Sequence, residues 1–293
     1  MPRAAVLSIH ARVEGTESTT WADEALVQLW GPRYNAYVVA RQDLAVFSLA
    51  RLPDDARGRR VAEDMARRID ELLAGARMTD REVGKALGVG NGLRYATTTG
   101  TVVIRWEGAR APIVWTVRPP TMDPGDARLE LARRYLHIFG PTTPEAFTRW
   151  AGIGPRQGRA AFEALGGSVT PVRTPLGGGW ILTSDEPTFG AAPTSAAPAR
   201  LLPSGDAYWL LHGPDRELLI PDPRHRGELW TPRVWPGALL VDGEIVGTWR
   251  RSQAIATIGT WRRLSRAETA AVEAEAASLP IPGVEGRIVV RWE

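Results

Sequence analysis

A chain of 293 residues with 44% hydrophobic and 24% charged residues has an ordinary globular composition, and its length exceeds one domain of roughly 100 to 150 residues, so several folding units are expected. It has no cysteine, which excludes disulfides and thiolate metal sites, and His10, His137, His212 and His225 lack ligand spacing, so neither metal nor cofactor is expected. No apolar run approaches the roughly 20 residues of a membrane span and no signal-peptide pattern opens the chain, so the cytoplasm is the expected compartment; the net charge of +3, almost all of its cations arginine with Lys85 the only lysine, leans toward a polyanion.

In chain order, Ala4 to Val13 reads as a short helix, followed by a hairpin of Leu26-Val27-Gln28-Leu29-Trp30 and Tyr37-Val38-Val39. Residues 1–55 look like the end of a helix-hairpin unit; a degenerate half-unit capped by the rest of the chain is the other reading. Over 56–121 the order is clearer. A helix from Val61 to Ala74 precedes Thr79-Asp80-Arg81-Glu82, a capping box in which Thr and Glu satisfy each other's amides. That second helix stops at Gly88-Val89-Gly90, a third runs through Leu93-Arg94-Tyr95-Ala96-Thr97, and two β-rich runs follow, Thr101 to Trp106 and Pro112 to Val117, joined by Glu107-Gly108-Ala109-Arg110. Three helices and a hairpin are the winged-helix order.

Residues 122–198 repeat it. A helix from Leu129 to Phe139 is followed by Thr142-Thr143-Pro144-Glu145 as another capping box, a stop at Gly152-Ile153-Gly154, a third helix from Pro155 to Leu165, and strands at Val169 to Val172 and Trp180 to Leu182 around a turn-rich Thr174 to Gly179. Thr183 to Pro198 reads as a linker. The last segment, 199–293, carries expected strands at Tyr208 to Leu211, Glu217 to Ile220, Ala238 to Val241, Ile245 to Trp249 and Arg287 to Trp292, the Asp242-Gly243 hairpin signal, and one helix from Ser265 to Leu279 opened by a capping box. The fold class expected is α+β: tandem winged-helix units followed by a C-terminal β-barrel-like domain.

Such units meet duplex DNA through the third helix and the wing, since a helix fits the major groove and basic side chains bind phosphates. Asn91 and Arg94 in one unit, Arg156, Gln157 and Arg159 in the next, Arg33 on the first tight turn, and Arg250 and Arg251, read as closing the Asp242-Gly243 hairpin, are the candidates. For each helix residue a solvated face is the competing role. Trp106, Trp115, Trp150 and Trp180 fall where core packing is expected, and Tyr95 is either a core tyrosine or a side chain that enters a base step.

Taken together, several strings resemble the winged-helix DNA-binding proteins related to AlkZ-like DNA glycosylases. They are Leu29-Trp30-Gly31-Pro32-Arg33, Ala127-Arg128-Leu129-Glu130, Arg134-Tyr135-Leu136 with Gly140-Pro141-Thr142-Thr143-Pro144, Phe147 with Trp150-Ala151-Gly152, Arg200-Leu201-Leu202-Pro203, and Val241-Asp242-Gly243 with Val246-Gly247-Thr248-Trp249-Arg250-Arg251. The resemblance implies three tandem winged helices and a β-barrel around a concave basic surface, and excision of alkylated bases by a Gln-x-Gln or Gln-x-Asp pair. That pair would lie just before the segment matching Pro2-Arg3-Ala4-Ala5, upstream of Met1, and Tyr37 occupies a place where relatives carry histidine. Asp206, at the start of the expected barrel, is the acidic residue of interest, with a turn cap as its alternative role. Two functions are therefore expected of residues 1–293. One is a monomeric, nucleoid-associated binder of alkylated or cross-linked duplex DNA that acts as a glycosylase if its true N-terminus is longer. The other is a non-catalytic winged-helix transcriptional regulator or repair accessory protein.

Overall fold

The computed structural model describes residues 2–107, 110–191, 197–210, 215–284 and 286–293. Parts of the expected 107–110 connection, of the linker, and Leu211 with His212 lie outside the described residues. The chain forms two compact units: one of residues 1–2 with 22–190, and a second, discontinuous in sequence, of 3–21 with 191–293. Of the expected boundaries, those after 55 and 121 fall inside the first unit, and that after 198 falls near the division at 190.

The chain opens with α1 (Pro2–His10), whose Leu7 packs into the second unit, and continues with the hairpin β1 (Leu26–Trp30) and β2 (Ala36–Ala40). Next come α2 (Leu44–Leu49) and α3 (Ala56–Leu73), the latter capped by the Asp55 carboxylate accepting from the Gly58 amide. β3 (Met78–Thr79) leads into α4 (Asp80–Leu87), where both arms of the expected capping box form and Gly88 ends the helix with φ +67°. The expected third helix is a 3₁₀ helix over Gly90–Thr99, followed by β4 (Val102–Arg105) and β5 (Ile113–Thr116).

The two hairpins do not stand apart. β1 pairs antiparallel with β4, and one sheet runs β2-β1-β4-β5-β3. Both faces are apolar: Val27, Leu29, Val39 and Val103 form one cluster, while Trp30, Val102, Ile104 and Val114 join Ile69 and Leu73 of α3 in another. Strands buried on both sides read as near-continuous apolar runs, which the sequence of these four strands shows.

The rest of the first unit is α5 (Pro124–Phe139), α6 (Pro144–Ala151), α7 (Pro155–Leu165), the hairpin β6 (Val169–Thr174) and β7 (Gly177–Leu182), and α8 (Glu186–Gly190). The cap of α6 is Thr143, not Thr142: Thr143 Oγ1 accepts from the Ala146 amide, Pro144 fills the first turn, and the buried Thr142 instead bridges to Trp180. With Glu145 only two residues after the cap, no reciprocal box can close. Trp150 is buried with Tyr135, Phe147 and Phe162 as expected, whereas Trp106, Trp115 and Trp180 are only partly buried.

The second unit contains β8 (Ala199–Leu202), α9 (Asp215–Leu219), α10 (Pro223–Leu229), β9 (Gly237–Val241), β10 (Glu244–Ser252), β11 (Ile255–Thr260), α11 (Arg266–Ser278) and β12 (Val289–Trp292). The expected barrel is not closed: the sheet is open, ordered β12-β11-β10-β9-β8, with β12 parallel to β11. Val272 and Ala276 of α11 pack in the same core as sheet residues Leu201, Leu239, Trp249 and Ile258, so a helix supplies the burial that closure would have given. The Asp242-Gly243 turn is as expected, both residues at positive φ between β9 and β10. Among the described residues, two expected strands do not form. Tyr208 to Leu210 is a turn, with the Trp209 and Leu210 amides donating to the Asp206 carbonyl, and Glu217 to Leu219 lies in α9. Leu218-Leu219-Ile220 is too short an apolar run to separate helix from strand by periodicity, and the helical bond from the Ile220 amide to the Arg216 carbonyl decides it.

Candidate nucleic-acid interface

Two segments of the first unit present polar side chains on the elements expected to meet DNA. Arg156 and Arg159 are exposed at the start of α7, whose amino end is pre-set by Pro155. Gln157, between them, is bound to the backbone: its Oε1 accepts from the Gly154 amide at 3.0 Å and its Nε2 donates to the Leu52 carbonyl at 3.2 Å. The same carbonyl accepts from Nη2 of the buried Arg128. On the 3₁₀ helix, Asn91 is exposed, while the half-buried Arg94 lies 5.6 Å above the Trp30 ring.

The β1–β2 turn is the most constrained feature of this unit. Arg33 and Tyr34 both adopt left-handed backbone, φ +54° and +57°, which costs a non-glycine residue on the order of 1 kcal/mol. Packing holds it there: a Cβ at Gly152 would lie 3.1 Å from the Arg33 nitrogen, and one at Gly31 would lie 2.8 Å from the Tyr37 ring. Behind the turn sits Arg51, 4% exposed, its guanidinium 4.5 Å from the Tyr34 ring centre and its Nη1 donating to the Trp30 carbonyl at 2.8 Å. Thr97 donates to that carbonyl as well, tying the turn to the 3₁₀ helix. Among the described residues, Nε and Nη2 of Arg51 find no hydrogen-bond partner. Burial lowers the Arg51 pKa to about 10 and pushes the Tyr37 phenol up to about 12. Tyr95 is 48% exposed rather than in the core, its ring edge-on to Tyr34 at 5.2 Å.

In the second unit, the Asp206 side chain is completely buried. Its carboxylate accepts from Arg12 Nη1 and Nη2 at 2.9 and 2.7 Å, from Ser8 Oγ at 2.6 Å, and from the Tyr208 amide at 2.9 Å. The turn-cap role is thus present, joined to a bidentate ion pair with the segment following α1. Arg250 and Arg251 lie on β10 at the end remote from Asp242-Gly243, beside the β10–β11 turn, so they do not close that hairpin. The strand is nine residues long, and the periodicity that predicted it was blind to that length. Arg250 donates to the Val234 carbonyl and Arg251 to that of Gln253.

Sequence reasoning missed Ser8, Arg12, Tyr34 and Arg51. Arg12 and Asp206 are 194 positions apart, and no local pattern announces such a pair.

A mixed α/β protein with, among the described residues, two five-stranded sheets and a two-stranded hairpin, and with exposed arginines at a helix start, is the class this arrangement defines. The family described as DNA glycosylase AlkZ-like matches residues 1–280, and the chain belongs to that family. It is similar to an interstrand DNA cross-link repair glycosylase of Streptomyces sahachiroi, 28% identical over 173 residues, which is 58% of this chain and 46% of that protein. The matched segment therefore spans less than half of the relative's length. The solved structure of Streptomyces sahachiroi DNA glycosylase AlkZ shares the fold, with a TM-score of 0.78 over 99% of this chain and 89% of that one at 20% identity.

Proposed function

We propose that the protein binds duplex DNA as a monomer and serves the repair of alkylated or cross-linked bases. The observation that carries this reading is the exposed Arg156 and Arg159 pair at the start of α7, the third helix before a hairpin, in a chain of the AlkZ-like DNA glycosylase family. In this reading 56–121 and 122–198 are winged-helix units, 1–55 is a partial first unit whose hairpin is shared with the next, and 199–293 is a β-rich domain. Arg33, Asn91, Arg94, Arg156, Arg159, Arg250 and Arg251 contact phosphates or base edges, whereas Gln157 holds α7 in place.

Hydrolysis of an N-glycosidic bond needs a polar group to orient water and a dipolar environment for an oxocarbenium-like transition state. Both Asp206 oxygens are engaged by Arg12, Ser8 and the Tyr208 amide, which supports a structural role for it. The test is binding of the chain to plain, abasic-site and alkylated duplexes across a salt series, with release of free base followed in parallel. Tighter binding to damaged duplexes with a steep salt slope supports the repair reading. Equal, steep binding to all without base release favours a regulator or accessory protein, and no binding at low salt overturns the reading.

A further inference from the structure

We infer that Tyr34 and Tyr95 form a stacking platform for a DNA base that has lost its neighbour, at a bulge or a damaged position of the duplex. The inference rests on the duplex-DNA reading above and adds the atoms that would meet the base. Scattered exposed aromatics are common and carry no message; this pair differs in how it is held. Tyr34 is the second of two successive left-handed residues, Gly152 packs against the first, Arg33, and the buried Arg51 guanidinium backs the Tyr34 ring. Tyr95 reaches it from the 3₁₀ helix with half its surface open, and Thr97 and Arg51 pin both elements to the Trp30 carbonyl. Set at 86° to each other, the two rings do not make one flat surface; the half-exposed Tyr95 ring supplies the face for a base and the confined Tyr34 ring braces it.

The surroundings select a nucleic-acid base over an apolar peptide. Arg33 lies beside Tyr34 in the chain and Arg94 beside Tyr95, and neither 26–40 nor 83–104 contains a single Asp or Glu, in a chain with 33 acidic residues. Every base has a π-face, so stacking on tyrosine tolerates any sequence, while flanking guanidiniums attract the phosphates on either side. Stacking replaces the neighbour that the unpaired base has lost, and a fully stacked duplex offers these rings no face.

The experiment compares the full chain on a matched duplex and on the same duplex carrying a one-base 2-aminopurine bulge, by equilibrium titration and by 2-aminopurine fluorescence. The wild type is expected to prefer the bulge and quench its fluorescence. Tyr95→Ala should weaken bulge binding about ten- to a hundredfold while leaving matched-duplex affinity within about twofold, and Tyr95→Trp should restore both affinity and quenching. Tyr95 is exposed, so loss of fold is not expected of these variants, and unchanged circular dichroism checks it. If the wild type binds the matched duplex but shows neither bulge preference nor dependence on Tyr95, the platform is wrong and the duplex reading survives. Binding to no duplex overturns both, and tighter Tyr95-dependent binding to single-stranded RNA overturns the assignment to duplex DNA.

Discussion

Arg12 places both terminal nitrogens on the carboxylate of Asp206, at 2.7 and 2.9 Å, and this pair fastens the segment after α1 to the turn after β8. Half of Arg12 remains in solvent while Asp206 is wholly buried, so the two partners are unequal. Arg12→Met would leave a buried carboxylate with only Ser8 Oγ and the Tyr208 amide, at a cost of about 2 kcal/mol. Urea unfolding of the full chain should show this as a lower midpoint. If stability is unchanged and base release is lost instead, Asp206 belongs to the chemistry and its structural role is wrong.

The arginines and the glutamine at the start of α7 should separate by assay. Arg156→Ala and Arg159→Ala are expected to lower affinity for all duplexes alike and to reduce the salt slope by about one for each phosphate no longer neutralised. Gln157→Ala should lower thermal stability and leave the slope alone, because its amide is committed to Gly154 and Leu52. A reduced slope from the Gln157 variant would contradict that division.

Gly152→Ala tests the packing beneath the β1–β2 turn. With φ at +71° and a Cβ 3.1 Å from the Arg33 nitrogen, the substitution should cost about 1–3 kcal/mol. Gly88→Ala, in the same left-handed region at φ +67° but with open space around its Cβ, should cost less. Equal losses would mean that backbone strain alone matters and that the Arg33 contact is incidental.

In the capping box of α11, hydrogen bonds from Arg262 first, and then from Ser265, lower the Glu268 pKa from 4.5 to about 2. A carboxylate whose pKa is lowered on folding stabilises the folded state above its unfolded pKa, and that contribution is lost as pH falls through the folded value. The stability gap between wild type and Glu268→Gln should therefore be full at pH 6 and shrink steadily from about pH 4.5 toward about pH 2. A gap that stays constant over this range would show the side chain's charge to be irrelevant.

What was legible in the sequence followed from local chemistry. Thr79 with Glu82, Ser265 with Glu268, Gly88, Gly152 and Asp242-Gly243 each determine their own backbone within a few residues, and helices and hairpins appeared where they point. The sharing of one sheet by β1 and β4 was not legible, because an edge-to-edge pairing such as Gln28 with Ile104 leaves no period in either strand. Nor was the Tyr34 turn: φ +57° at tyrosine runs against its own preference, and the contacts around the turn, Gly152 against Arg33, Gly31 against Tyr37 and Arg51 over the Tyr34 ring, come from distant parts of the chain or leave no local pattern. The arginines were visible as residues, but which of them are buried and spent on carbonyls, as Arg128 is, depends on partners far along the chain.

The second unit begins at residue 3, breaks off after residue 21 and resumes at 191. During synthesis at roughly 5–20 residues per second, α1 leaves the ribosome about ten to forty seconds before the strands that cover Leu7 exist. The intervening unit has all its own strands and helices by residue 190 and can close first. A translational pause or premature stop beyond that point would thus leave a first unit with its own elements complete, preceded by an N-terminal helix whose Leu7 has no partner strands to cover it.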